Sequence, residues 1–229
     1  MEQVLHWLGY GLCHQLPERS FFGGGIQVPV CARDTGIYLG FAVALIILAV
    51  LHRGERPTEV PSAEKSALLG LFVIAMAVDG VTSYAGMRDT TNAIRLATGL
   101  GTGFALAAFT LPLVNGELWR RAGRGRVLQG AGRAAVFFGA LPVTFLLVLY
   151  VAPALGVVYP IAVGASIIAT FVSVNLVIAS LLPWFERRAD RLRDAWAPLV
   201  LALAFSLLEI AATAQLKAML EHAAARIGQ

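Results

Sequence analysis

The sequence predicts an all-α, polytopic membrane protein with about six transmembrane helices and a short N-terminal interfacial or re-entrant helix. Of its 229 residues, 58% are hydrophobic and only 14% are charged, whereas soluble domains carry about 25% charged residues. The apolar residues form long blocks separated by short, arginine-rich loops. A bilayer span needs roughly 20 apolar residues. Because its backbone finds no water to bond, each block is expected to cross the membrane as a helix.

Six blocks have the length and hydrophobicity of spans. They cover residues 36–51, 66–85, 92–114, 134–152, 157–183 and 196–216. Asp34 and Thr35 stand where they would cap the first span, and Pro142 is expected to kink the fourth. We predict a single transmembrane domain, in which residues 1–35 form an extracytoplasmic or interfacial segment and residues 36–216 form a six-helix bundle.

The segment before the first span carries its own short helical pattern. Residues 3–16 are too short to span a bilayer, and they combine leucines at helical spacing with Trp7 and Tyr10. Such an amphipathic segment with interfacial aromatic residues favours a helix at the membrane surface, and Pro17 is expected to end it. A glycine-rich turn at 21–25 then leads to Cys31.

The distribution of basic residues predicts the orientation of the bundle. Arginine is concentrated in the loops after the first, third and fifth spans, and the alternate loops contain almost none. Since Lys and Arg favour cytoplasmic loops, both termini are expected outside the cytoplasm of a multi-pass cell-membrane protein. The net charge of +4 then reflects topology. Membrane lipids are the expected partners, nucleic acid is not, and a homo-oligomer stays open.

With this topology, the polar residues near the N-terminus and the outer ends of the second and third spans share one side. Asp79 lies about two turns inside the second span and Arg95 about one turn inside the third. Charged groups within a membrane are costly unless they are paired, so we expect Asp79 and Arg95 to pair with each other or to bond within the bundle. Arg33, Arg88 and Asn92 lie at the same level and are candidates, with Arg95, for holding an anionic substrate.

Two cysteines and a histidine in the N-terminal region are candidate metal ligands. Cys13, His14 and Cys31 offer thiolate and imidazole groups, and Asp34 is a candidate fourth ligand. These donors suit zinc or another divalent transition metal, and three protein ligands with an open position are typical of catalytic zinc. A Cys13–Cys31 disulfide, or two unbound thiols, is the competing interpretation, because an extracytoplasmic compartment is often oxidising.

Polar residues also occur deeper in the later spans. Asn175 lies in the middle of the fifth span and Glu209 in the middle of the sixth. We expect both to make interhelical hydrogen bonds, with Glu209 as a further candidate for a functional acid.

Two stretches resemble a family of prokaryotic integral membrane proteins known only as a domain of unknown function. The first is Cys13-His14-Gln15 with Pro17, Arg19 and Ser20, followed by the run from Cys31 to Gly40; the second is Asp79-Gly80 with Asn92, Arg95, Thr98 and Gly99. The resemblance spans about residues 10 to 103. It implies a membrane protein and brings no established activity.

Three functions fit these observations. The leading hypothesis is a membrane-embedded, metal-assisted enzyme acting on a lipid or lipid-linked anionic substrate at the extracytoplasmic face. In it, Asp34 or Asp79 acts as ligand or base, and the arginines offset developing negative charge. The alternatives are a small-solute or ion transporter or channel, in which Asp79, Arg95, Asn175 and Glu209 line a polar path, and a membrane scaffold or assembly subunit.

Overall fold

The computed structural model describes residues 1–227 and is built almost entirely of α-helices. Six of the helices are long and apolar enough to cross a membrane, which confirms the predicted polytopic all-α fold. Their bounds, with the short N-terminal helix first, are α1 Glu2–Tyr10, α2 Ala32–Leu51, α3 Ala63–Tyr84, α4 Asn92–Leu118, α5 Ala131–Leu146, α6 Val158–Ser180 and α7 Trp196–Ile227.

The start of the first span differs from the prediction. Helix α2 begins at Ala32, so its N-cap is Cys31, and Asp34 lies in the first helical turn. Asp34 and Thr35 therefore do not cap this helix, as the sequence had suggested. The Asp34 carboxylate accepts a hydrogen bond from the Cys31 thiol at 3.2 Å, and the Thr35 hydroxyl donates to the Val30 carbonyl at 3.4 Å.

The two terminal helices also differ in length from the prediction. Helix α1 ends at Tyr10, well before Pro17, and its C-cap Gly11 lies against the backbone of Thr213 and Ala214 in α7. Helix α7 continues past residue 216 to Ile227, since the added residues are mostly good helix formers. The fourth span changes from α to π geometry at Leu147–Val151, downstream of the proline that was expected to kink it.

The centre of the bundle is the parallel pair α2 and α4, which approach each other through glycines. Gly36 and Gly40 of α2 face Gly99 and Gly103 of α4. A Cβ atom built on Gly103 would stand 2.3 Å from the Ile37 carbonyl oxygen, and one built on Gly36 would stand 2.5 Å from the Leu96 carbonyl oxygen. Small residues four apart allow such contact between spanning helices. The pairing fixes the start of α2 beside the start of α4.

The remaining helices pack around this pair. Helix α3 lies on α4, α5 lies on α2 and α4, and α6 contacts both α2 and α4, while α7 lies on the outside of α6. Helix α1 rests on α6 and α7. Lys217 of α7 donates to the carbonyls of Tyr10 at 2.9 Å and Cys13 at 3.0 Å. The N-terminal segment and the last turns of α7 therefore lie at one end of the bundle, which we call the terminal end.

The opposite end, which we call the arginine-rich end, is formed by the three loops after α2, α4 and α6. Strand β3 (Pro57–Glu59) pairs in parallel with β4 (Gly123–Arg126), and the third loop joins them because the Arg187 amide donates to the Glu117 carbonyl at 2.7 Å. At the terminal end, two short strands, β1 (Phe22–Gly23) and β2 (Ile26–Gln27), form a small antiparallel hairpin. Its turn residues Gly24 and Gly25 both have positive φ, as a two-residue type I′ turn requires.

Candidate functional site

The site at the terminal end depends on how the N-terminal segment folds back on α2. The Gln15 side-chain amide donates to the carbonyls of His6 at 2.8 Å and Pro29 at 2.7 Å. Gln27, from the hairpin, donates in turn to the Gln15 carbonyl at 2.8 Å. Gly9 lies directly against the Pro29 carbonyl, where no Cβ atom would fit. These contacts place residues 11–15 beside the first turn of α2.

This arrangement brings Cys13 next to Cys31 and Asp34. The two sulfur atoms and a carboxylate oxygen of Asp34 all lie within 4.8 Å of one another. The backbone amides of Cys31 and Gln15 donate to the Cys13 sulfur at 3.2 Å and 3.5 Å. Both cysteines are free, so the structure presents a reduced thiol pair beside a carboxylate.

The two thiols have opposite tendencies to ionise. The Cys31 thiol donates to the Cys13 sulfur, and this hydrogen bond, helped by the Gln15 and Cys31 amides, lowers the pKa of Cys13 to about 7 despite burial. The same hydrogen bond, together with burial, raises the pKa of Cys31. Cys31 has one proton, and two acceptors, the Cys13 sulfur and the Asp34 carboxylate, compete for it. Cys31 is therefore the proton donor of the pair, and Cys13 is the thiol that ionises first.

Beside the thiols lies a small cavity of about 130 Å³ that Asp34 also lines. Three arginines line it as well: Arg19 from the N-terminal segment, Arg33 from α2 and Arg95 from α4. The cavity is thus lined by thiol and carboxylate groups together with guanidinium groups. Such a pairing suits a cation held by the first set and an anionic group held by the second.

Asp79 of α3 is fully committed to other partners. Its carboxylate is 1% exposed and accepts from Arg33 Nη2 at 2.6 Å and from the Thr90 hydroxyl at 3.1 Å. It also pairs closely with Arg88. Asp79 therefore bonds within the bundle, as expected, but not with Arg95, because Arg33 enters from α2 and Arg88 folds back from the loop after α3. Asp79 is also not among the residues that line the cavity.

Arg95 is left with an unbalanced charge. The residue is 9% exposed, and its guanidinium donates to the Asn92 side-chain oxygen at 3.2 Å. Among residues 1–227, no carboxylate lies within 4.0 Å of it. A buried charge is normally paired. Of the four arginine and asparagine candidates for anion binding, Arg95 is the buried arginine without a carboxylate partner, whereas Arg33 and Arg88 share the single carboxylate of Asp79.

The structure does not bring His14 into the ligand group. Its side chain is exposed, and its Nε2 atom lies 3.3 Å from the Tyr84 hydroxyl, whereas the third group beside the thiols is Asp34. Adjacent residues direct their side chains differently, so Cys13 and His14 separate at this turn. His14 nevertheless lines the rim of the cavity. Asn92, besides accepting from Arg95, donates to the Glu18 carbonyl at 3.1 Å.

Sequence reasoning did not select Arg19, Ser83 and Tyr84, which also line the cavity. Arg19 lies within the first resembling stretch, so that motif was the signal that would have found it. The expected hydrogen bonds deeper in the bundle are confirmed. The Asn175 amide of α6 donates to Glu209 of α7 at 2.8 Å, on a helix pair outside the cavity lining.

These features define a polytopic helical membrane protein that gathers thiol, carboxylate and guanidinium groups at one end of its first three spans. The comparisons with known proteins place it more closely. Residues 13–109 match the family described as predicted membrane protein (DUF2085). This segment contains both cysteines of the thiol pair and the three arginines that line the cavity.

Two uncharacterized archaeal proteins are similar to part of the chain. One, from Methanocaldococcus jannaschii, is 38% identical over 102 residues, which are 44% of this chain and 63% of that protein, less than two thirds of its length. The other, from Methanothermobacter thermautotrophicus, is 40% identical over 99 residues, 43% of this chain and 84% of that protein. The chain therefore belongs to this family of membrane proteins. No solved structure matches it.

Proposed function

We propose that this protein is a membrane-embedded, metal-dependent enzyme that acts on an anionic lipid or lipid-linked substrate at the extracytoplasmic face. One observation carries the proposal. The thiols of Cys13 and Cys31 and the Asp34 carboxylate converge at a cavity that is also lined by the buried Arg95, which has no carboxylate partner among residues 1–227. Metal ligands and an unbalanced cation beside one cavity are the pattern expected when a metal and an anionic group react together.

The donor set fits a divalent transition metal such as zinc. Ligand atoms around tetrahedral zinc lie about 3–4 Å apart, given bonds of about 2.0–2.3 Å, and the three ligand atoms lie within 4.8 Å of one another. When bound with an open coordination position, such a metal activates water or polarises a substrate oxygen.

The protein's own residues would bind and orient the substrate. The Arg95 guanidinium, with Arg19 beside the same cavity, offers donors to a phosphate or carboxylate group. Asp79 holds Arg33 in place through its 2.6 Å ion pair, so Arg33 lines the cavity in a position fixed by that carboxylate. In this proposal Asp79 positions Arg33, and Asp34 is the carboxylate that contacts the reacting groups.

A groove beside the cavity, lined by leucines and by Lys217 and Glu221, supports a lipid substrate. It has a volume of about 420 Å³, and it shares Leu12, Cys13 and His14 with the cavity. Leu216 and Leu220 of α7 line its other side. A hydrocarbon chain lying in this groove would have its head group at the thiol pair. The arginine bias of the loops puts this end outside the cytoplasm in the proposal.

Metal analysis of the purified protein tests the proposal. The wild type, loaded with zinc and desalted, is expected to retain about one metal ion per chain, and the Cys13→Ser and Asp34→Asn variants are expected to bind at least about tenfold more weakly. His14→Ala is the matched control and should retain the metal. A wild type that retains none, or a His14→Ala variant as weak as Asp34→Asn, would overturn the metal assignment.

The anionic substrate is tested separately with the Arg95→Gln variant. If Arg95 binds the substrate's anionic group, this variant should keep its metal and lose binding of a long-chain alkyl phosphate. Arg53, an exposed residue at the other end of the chain's first span, provides the control Arg53→Gln. Equal alkyl phosphate binding by the wild type and Arg95→Gln would remove Arg95 from the mechanism.

The transporter alternative receives less support. Asp79 is neutralised by Arg33 and Arg88, and the Asn175–Glu209 pair lies between α6 and α7, apart from the α2–α4 interface. The polar and charged groups therefore form separate clusters and do not form the continuous polar path that a transporter would need.

A further inference from the structure

We propose a second anion site at the arginine-rich end, a groove that binds the phosphate of an anionic phospholipid from the adjacent leaflet. The groove has a volume of about 760 Å³ and lies between the β3–β4 loops and the start of α5. We call it the arginine groove. The residues that carry the argument are Glu55, Arg56, Arg121, Gly123, Gly125 and Arg133.

The loops that form the groove are held firmly. The Arg56 guanidinium lies 3.9 Å from the centre of the Trp119 ring and donates to the Asp190 carbonyl at 2.9 Å. The buried Asn115 amide donates to the Pro57 carbonyl at 3.0 Å and accepts from the Trp119 indole at 3.1 Å. All three loops of this end are thus connected, so the groove is formed before any ligand binds.

The charges around the groove do not balance. Glu55 pairs with Arg133 through two hydrogen bonds of 2.7 Å and 2.9 Å, and these hold the pKa of Glu55 below its usual range. The charges of Glu55 and Arg133 therefore cancel each other. Arg121 is exposed and, among residues 1–227, has no carboxylate within 4.0 Å. Arg56 likewise faces an aromatic ring and a carbonyl group, so two positive charges remain for an anion.

The shape of the groove suits a phosphate group. Gly123 and Gly125 of β4 line it and present no side chains, so a ligand oxygen can approach the backbone closely. The three loops of this end carry ten arginines and five carboxylates, which makes the whole surface attractive to anionic lipids.

The depth of the groove favours a lipid over a soluble phosphate compound. It lies where α2 has just ended and α5 begins, and Arg133 is in the first turn of α5. These helix ends mark the level at which a spanning helix leaves the hydrocarbon. From there α5 exposes Val136 and Val143 along its outer surface, where acyl chains can pack below a head group bound in the groove.

Native mass spectrometry of the full-length protein with added phospholipid tests this proposal. Phosphatidylglycerol is expected to bind at least about tenfold more tightly than phosphatidylcholine. Loss of one arginine near an anionic head group is expected to weaken binding about fivefold, so Arg121→Gln should lose that much. Arg188→Gln is the matched control, because Arg188 is an exposed arginine in the third loop outside the groove, and it should bind as the wild type does.

A second variant keeps every arginine and adds one negative charge to the groove. A Cβ atom on Gly125 would make only ordinary contact with Pro57 at 3.6 Å, so Gly125→Asp should fold normally and abolish the preference for phosphatidylglycerol. Equal binding of the two lipids by the wild type, or equal losses in Arg121→Gln and Arg188→Gln, would overturn the site. Soluble glycerol phosphate that binds as tightly as the lipid would overturn the lipid assignment.

Discussion

Gly99 of α4 lies against Arg33 of α2 so closely that a Cβ atom built on Gly99 would stand 2.1 Å from the Arg33 carbonyl oxygen. This contact sets the distance between the first turns of the two helices. Arg33 and Arg95 line the same cavity because of it, and Arg33 can reach across to Asp79 of α3. The helix packing and the candidate site therefore depend on the same glycine.

The Gly99→Ala variant is predicted to loosen the protein and disturb the cavity. The added methyl group meets backbone that cannot move without shifting a helix, so destabilisation of about 1–3 kcal/mol is expected, measured as a lower midpoint of thermal unfolding in detergent. Gly70→Ala in α3 is the control, since nothing lies within 4 Å of the added atom. Equal midpoints for the two variants would contradict the close packing.

The Asp79→Asn variant is predicted to be strongly destabilised. Removing one partner of a buried ion pair leaves the other charge unpaired, which costs about 3–5 kcal/mol, and Asp79 serves both Arg33 and Arg88. The Arg88→Gln variant should cost less, because the Arg88 side chain is 46% exposed. Thermal unfolding of both variants in one detergent gives the comparison.

The exposed Arg126–Glu59 pair offers a control for that measurement. Both of its side chains are about half exposed, and exposed pairs contribute about 0–1 kcal/mol, so Arg126→Gln should unfold near the wild-type midpoint. A loss in Arg126→Gln as large as in Asp79→Asn would mean that burial does not decide the effect.

The reactivity of Cys13 is predicted to change near neutral pH. Because the pKa of Cys13 is lowered to about 7, its reactive thiolate should be scarce at pH 6 and dominant at pH 8. The rate of iodoacetamide labelling, measured by mass spectrometry, should follow that curve. Cys31 should react slowly throughout this range, since its pKa is raised.

The cause of this shift is testable with two variants that keep only Cys13. Cys31→Ser retains a hydroxyl group that can donate to the Cys13 sulfur, and Cys31→Ala removes the donor. The labelling curve of Cys31→Ala should therefore move to higher pH relative to that of Cys31→Ser. Curves that coincide would show that the Cys31 side chain does not stabilise the thiolate.

The orientation of the bundle is predicted to place Cys13 outside the cytoplasm. A membrane-impermeant maleimide added to intact cells should label the Cys31→Ser variant at Cys13. It should fail to label an Arg124→Cys variant made in a background without native cysteines, until the membrane is opened. Labelling of Arg124→Cys in intact cells would reverse the proposed orientation and with it the face at which the substrate is bound.

Much of the architecture followed from the sequence because hydrophobic length alone selects a spanning helix. The six spans were each found to within a few residues at most ends. Interhelical hydrogen bonds of Asn175 and Glu209 were expected because a polar group in a membrane needs a partner, although the sequence did not predict that the two residues bond each other. The exceptions are at helix ends. At those ends, capping, hairpin and loop contacts determine the residue at which a helix begins or ends, as at the start of α2 near Asp34 and the end of α1 at Tyr10.

The site divides in the same way. The sequence by itself identified Cys13, Cys31, Asp79 and Arg95 as unusual, since charged and thiol groups beside apolar spans are costly or reactive. It did not determine which of them meet. Tertiary structure paired Asp79 with Arg33, left Arg95 unpaired, and put Asp34 in place of His14 beside the thiols. These choices depend on the distance between α2 and α4 and on the fold of the N-terminal segment, which long-range packing sets.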